Sequence, residues 1–153
     1  FDGYSEALVL RAEATAAGPW RLTSLATLAA RNAAATAMVQ QRHADGRTVE
    51  RKACGDGPVD AAFKAIEAAT GISVVLRKFE IRAVTEGEDA QGEAVVYVEY
   101  NQRTYRGSSV STNIVESSTK AFLEVINRIE LAQAGSRSRE ERTAAARAAQ
   151  TAV

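Results

Sequence analysis

The chain has 153 residues, 46% of them hydrophobic, enough for one buried core or for two small lobes sharing an interface. Its 19 basic and 19 acidic residues leave no formal net charge, so no general attraction draws it to nucleic acid or to an anionic membrane. One cysteine, Cys54, excludes an intramolecular disulfide, and no apolar run approaches the roughly 20 residues of a membrane span, so a reducing cytoplasm is the expected compartment.

In chain order, the sequence opens on Phe1 rather than Met and without a signal-peptide pattern, as a fragment of a longer protein would. Residues 1–18 are expected to form a helical connector from an upstream domain. Strands follow at 20–28, 35–42 and 48–54, with Asp45-Gly46 as the hairpin turn that tolerates positive φ. Gly57-Pro58 then starts a helix, Pro58 standing where its missing N–H costs nothing. Val59, Ala62, Phe63, Ile66 and Ala69 lie at helical spacing, and Gly71 stops the helix.

The pattern repeats with strands at 76–84, 93–100 and 103–107. Val95, Tyr97 and Glu99 alternate with Ala94, Val96, Val98 and Tyr100, which predicts an unusually apolar second face fit for a partner. A second helix starts at Asn113 with Glu116 three residues on, a capping-box arrangement, and carries Val115, Ser118, Phe122, Val125, Ile126 and Ile129. Gly135 closes the pattern, and residues 136–153, rich in Ala, Arg and Glu, read as a helical or disordered tail. The expected division is therefore a domain over 19–135, split into units 19–71 and 72–135, between a connector and a tail.

Internal repetition supports that division. Val59-Asp60 with Lys64-Ala65 recurs as Val115-Glu116 with Lys120-Ala121, an offset of 56 residues set by Lys64 and Lys120. At the same offset Asp45-Gly46 falls on Asn101-Gln102, Thr48 on Thr104, Val39 on Val95, Leu25 on Ile81 and Leu28 on Val84, and no gap is needed. The fold class expected is α+β: duplicated βββα units related by a pseudo-twofold, with two helices packed on antiparallel sheets.

Few residues carry chemistry. Gly55-Asp56-Gly57-Pro58 lies where a strand becomes a helix. Its plain reading is a tight turn; its functional reading is a set of backbone N–H groups and a helix dipole able to receive a carboxylate. Its counterpart, Ser111-Thr112-Asn113, is also a helix start, and two such ends facing one pocket make a better anion site than one. His43, the only histidine, reads as a surface turn residue, because no second ligand stands at metal spacing. Cys54 reads as a small strand-end residue and Lys64 and Lys120 as solvated helix positions. Ser136-Arg137-Ser138-Arg139 is followed at once by Glu140-Glu141, which favours a solvated tail over a phosphate-binding arm. No catalytic or metal-binding residue is identified.

Three stretches go beyond physical pattern: Gly55 to Ala62, then Val84-Thr85-Glu86-Gly87-Glu88-Asp89-Ala90-Gln91-Gly92-Glu93, then Gly107 through Ser111-Thr112-Asn113-Ile114-Val115-Glu116-Ser117-Ser118 to Phe122 and Asn127. Together they resemble the C-terminal allosteric, dimerising domain of 2-isopropylmalate synthase, and less closely that of citramalate synthase. The resemblance covers roughly residues 20–129. It departs from the family at Asn113, where aspartate is typical, at Ser117-Ser118 and at Ser109.

The resemblance implies a homodimer that binds an end-product branched-chain amino acid, leucine foremost, and restrains a catalytic TIM barrel elsewhere in the parent chain. That barrel would hold the divalent metal and acetyl-CoA; this chain would need no cofactor of its own. The implied effector site comprises Gly55, Asp56, Gly57, Pro58, Val59, Asp60 and Ala61 from the first turn, with Ser111, Thr112 and Asn113 from the second. Two alternatives stay open: a structural dimerisation module with a degenerate site, and a citramalate synthase domain sensing isoleucine.

Overall fold

A computed structural model describes residues 4–10, 18–30, 34–84 and 90–151. The elements in chain order are β1 (Tyr4–Leu10), β2 (Trp20–Ala30), β3 (Ala35–His43), β4 (Thr48–Gly55), α1 (Pro58–Thr70), β5 (Val75–Ala83), β6 (Gly92–Tyr100), β7 (Arg103–Ser111) and α2 (Ile114–Thr151). They form a four-stranded sheet, β1-β2-β3-β4, and a three-stranded sheet, β5-β6-β7, with every pairing antiparallel. The α+β class and the doubled βββα order are as the sequence predicts.

One expectation at the start of the chain changes. Tyr4–Leu10 is a strand paired with β2, not part of a helical connector; residues 1–3 and 11–17 of that connector lie outside the described residues, as do 85–89 of the acidic segment and 152–153 of the tail. Of the two readings of the tail it is the helical one that the structure describes, since α2 continues through Gly135 to Thr151. A glycine inside a helix costs only about 1 kcal/mol. Gly71, by contrast, ends α1 in the left-handed region at φ 74°, its N–H bonded to the Glu67 carbonyl, a conformation that favours glycine.

The repeat also needs gaps. The first hairpin has a three-residue loop: the His43 N–H reaches the Arg47 carbonyl, the Gly46 N–H bonds the His43 carbonyl, and Gly46 sits at φ 98°. The second closes with the two-residue turn Asn101-Gln102, both at positive φ. With one residue fewer in the turn, the partner of Val39 in the repeat is Val96, not Val95: Val39 faces Arg51 and Val96 faces Gly107 across their hairpins. A one-residue slip reverses faces. Likewise Leu25 and Phe79 are equivalent, since each pairs with that valine from the preceding strand, and Thr27 corresponds to Ile81. The register irregularities between Leu22 and Ser24 and between Leu76 and Lys78 coincide under this alignment.

The core forms where the inward faces meet the helices. Leu22, Leu25, Ala35, Ala37 and Val39 of the first sheet and Ala94, Val96 and Val98 of the second are buried in one cluster with α1 and α2. Phe63 of α1 stacks on Phe122 of α2 with ring centroids 4.3 Å apart and meets Phe79 of β5 edge-on at 6.0 Å. Gly107 lets β7 approach α2 closely: a Cβ there would strike the Ala121 carbonyl and lie 2.8 Å from Val125. The outer face of the second sheet is not the open apolar patch expected. Val95 is buried, and Tyr97 lies between Lys78 and Arg106, whose charges stand 5.9 and 6.0 Å from its ring.

Candidate functional site

Two strand-to-helix junctions hold all the predicted effector residues. In the first, β4 ends at Gly55 and α1 begins at Pro58. Gly55 is required for close approach, since an added Cβ would lie 2.5 Å from the Ala61 backbone nitrogen. Gly57, the N-cap, is extended at φ −154° and ψ 175°, a conformation open to any residue, and an added Cβ would meet nothing within 4 Å. No side chain caps α1 there. Asp60 reaches back instead: its carboxylate accepts the Asp56 N–H at 3.0 Å and pairs with Lys64 Nζ at 3.0 Å. The Asp56 N–H and then Lys64 hold the Asp60 carboxyl below its ordinary pKa, outweighing its slight desolvation.

In the second junction the turn is closed by its own side chains. Asn113 Oδ1 accepts the Glu116 N–H at 3.1 Å, and Ser111 Oγ accepts the Asn113 N–H at 3.1 Å. The Glu116 carboxylate accepts the Ser111 hydroxyl proton at 2.8 Å and pairs with Lys120 at 2.5 Å. The capping box is thus relayed through Ser111. Burial pushes the Glu116 carboxyl up, but the bonds from Lys120 and Ser111 outweigh it and leave the group below its ordinary value. Lys120 is largely covered and ion-paired rather than solvated, and Lys64 is paired though exposed.

Each junction keeps its own predicted residues together, Gly55 to Ala61 in one and Ser111 to Asn113 in the other. Among the described residues no hydrogen bond, ion pair or ring contact links the two turns; α1 and α2 meet further along, through Phe63 and Phe122. Among the described residues no group of three His, Cys, Asp or Glu side chains converges as a metal would need.

His43 is not a surface turn residue. Its Nε2 lies 3.0 Å from the Glu130 carboxylate of α2, its ring meets Trp20 edge-on at 4.7 Å, and its Nδ1 accepts the Asp45 N–H at 3.1 Å. The adjacent Asn127 side chain is fully buried and bonds both the N–H and the carbonyl of Trp20, at 2.8 and 2.9 Å. This cluster fastens the start of β2 and the end of β3 to α2. Its contacts to α2 span 87 to 110 residues of sequence, so no local spacing reveals it.

The chain matches the LeuA allosteric (dimerisation) domain family over residues 2–130, a span that takes in β1 and stops within α2. It is 42% identical over 130 residues to a 2-isopropylmalate synthase of Rhodopirellula baltica, 50% identical over 84 residues to one of Ruminiclostridium cellulolyticum, and 46% identical over 85 residues to one of Clostridium kluyveri. These stretches cover 84%, 55% and 56% of this chain, and 25%, 16% and 16% of the relatives' lengths. The chain spans about a quarter of the first of those enzymes. With two unequal helix starts on a doubled βββα frame and a family match over most of its length, the chain belongs to the LeuA allosteric (dimerisation) domain family.

Proposed function

We propose that this chain is the regulatory segment of a cytoplasmic 2-isopropylmalate synthase, that it binds a branched-chain amino acid, leucine foremost, and that occupancy restrains a catalytic barrel in the rest of the parent chain. The observation that carries this reading is the asymmetry of the helix starts. Asn113 caps α2, whereas at Gly57 no side chain caps α1, leaving that end suited to an effector carboxylate. Asp56, exposed beside the turn, supplies an acidic partner for the effector ammonium.

The homodimer is proposed to form over the inward face of β5. Its equivalent, β2, is an inner strand: Leu22 is 0% and Thr27 5% exposed, whereas Leu76 and Ile81 at the matching positions are 46% and 39% exposed. The first sheet has β1 beside β2, while β5 is an edge strand. Uncovered apolar side chains on a core-facing surface call for a second copy of the chain.

Calorimetry with leucine, isoleucine, valine and lysine tests the effector. Heat with leucine and none with lysine is expected; no heat with any of them marks a purely structural module, and a preference for isoleucine marks a citramalate synthase-type sensor. Gly57→Asp should fold normally and lose the heat, because its carboxylate occupies the same N–H groups. Leu76→Asp should shift the sedimenting species to monomer, and an unchanged dimer would remove β5 from the interface.

A further inference from the structure

Away from both helix starts, a cleft of about 450 Å³ lies where β2 begins and β3 ends. Its walls are held in place. The Pro19 carbonyl accepts the Ala44 N–H at 2.8 Å, and Gly18 lies so close to the buried Asn127 that an added Cβ would stand 2.5 Å from the Asn127 Cβ. Arg21 of β2 and Arg42 of β3, both exposed, line this cleft. They are direct cross-strand partners, which sets their Cβ atoms about 5 Å apart on one face of the sheet, where like charges repel.

The neighbouring carboxylates are committed elsewhere. Asp45 accepts both the N–H and the guanidinium of Arg47, and Glu130 accepts the Trp20 indole N–H and holds His43. Glu50, on the same face one step along the ladder, stands opposite Gln40. Among the described residues neither Arg21 nor Arg42 has an ion pair, a side-chain hydrogen bond or a ring contact, and no carboxylate lines the cleft. His43, also in its wall, has both ring nitrogens engaged, so the two guanidiniums are the groups left to a ligand.

We propose that this cleft binds a compact phosphate monoester. The two arginines rise from facing residues, so their guanidinium forks close on one group. A phosphate presents three acceptor oxygens from one centre and a charge near −2, enough for both forks and both cations. A carboxylate, with two oxygens and one charge, satisfies one fork only. The cleft is larger than a phosphate and leaves room for the ester's organic part. Its residues are separate from both helix-start turns, so the proposal stands independently of the amino-acid effector.

The test is titration of the 153-residue chain with glycerol 3-phosphate, with malonate and with sodium chloride at matched ionic strength, followed by amide NMR and by melting. Glycerol 3-phosphate should move the amides of residues 18–21 and 42–46 and raise Tm; malonate should bind several-fold more weakly, and sodium chloride should do neither. Arg21→Gln and Arg42→Gln should each weaken glycerol 3-phosphate by about tenfold. Without ligand each variant should melt no lower than the parent, because one of two opposed charges is gone. Arg103→Gln, which removes the same charge from β7, should leave binding unchanged. Shifts that sodium chloride reproduces, a malonate affinity equal to that of glycerol 3-phosphate, or an equal loss of binding in Arg103→Gln would each overturn the proposal.

Discussion

The two junctions are built from matching parts to opposite ends. Asp60 and Glu116 occupy the same place in the repeat, each with a lysine four residues on, and each turns its carboxylate back onto the preceding loop. In the first loop Gly55 brings the strand end against α1 and Gly57 leaves the helix uncapped. In the second, Ser111 and Asn113 supply the hydrogen bonds that glycine cannot. Duplication thus conserves the carboxylate and lysine that hold the turn, while the residues around them decide whether its N–H groups are satisfied from within or left to a ligand.

The sharpest test of this difference sets the two glycines of the first junction against each other. Gly55→Ala must move the Ala61 backbone, which is not a flexible group, and should destabilise the domain by about 2–3 kcal/mol. Gly57→Ala has open space and ordinary dihedrals and should cost at most about 1 kcal/mol, the difference between glycine and alanine at an N-cap. Urea midpoints of the two variants decide the matter: equal losses would mean that the turn, rather than the close approach, demands glycine at both places.

A second difference lies in the cores. Gln41 is fully buried at the end of the inward face of β3, and neither atom of its amide has a hydrogen-bond partner among the described residues. The equivalent position in the second unit is Val98, since Gln41 pairs with Val49 as Val98 pairs with Tyr105. A buried amide without partners costs about 1–3 kcal/mol. Gln41→Leu should therefore raise stability by about 1 kcal/mol, read as a higher urea midpoint at constant m-value. A loss of similar size would show that the amide is satisfied in the assembled protein, for instance across a dimer contact.

How much of this was legible in the sequence depends on the range of the contacts. Of the seven strands among the described residues, six can be read from the sequence together with the start of each helix, because turn residues, Pro58 and the Asn113–Glu116 spacing act locally. The gapless repeat was misleading. It holds for β4, β7 and the helix starts, but a loop shorter by one residue puts Val95 on the outer face while Val39 points inward. Tyr4–Leu10 escaped because its order comes from pairing with β2, not from its own periodicity. The expected effector residues lie together within each turn, but the division between a capped and an uncapped start depends on which side chains reach which N–H groups, and sequence spacing suggests only one of those bonds.

The smallest effect concerns protons. Asp60 and Glu116 both have folded pKa values below their ordinary ones. Groups lowered in this way stabilise the fold fully above the unfolded carboxylate value, near 4, and that stabilisation is lost as pH falls through the folded value. The Asp60 side chain is 42% exposed, so solvent screens its share; the Glu116 side chain, at 21%, is better sheltered. Glu116→Gln keeps an acceptor for the Ser111 hydroxyl and removes only the charge. At pH 7 it should cost about 0.5–1 kcal/mol, a difference that shrinks as pH falls through the lowered folded value of the parent carboxylate. Asp60→Asn keeps the bond from the Asp56 N–H in the same way and should change the acid limb less. Urea midpoints measured from pH 7 down to pH 3 for both variants would rank the two turns. A larger effect at Asp60 would mean that the uncapped junction depends more on its own carboxylate than on glycine geometry, and that an arriving effector carboxylate would have to contend with a charge already seated there.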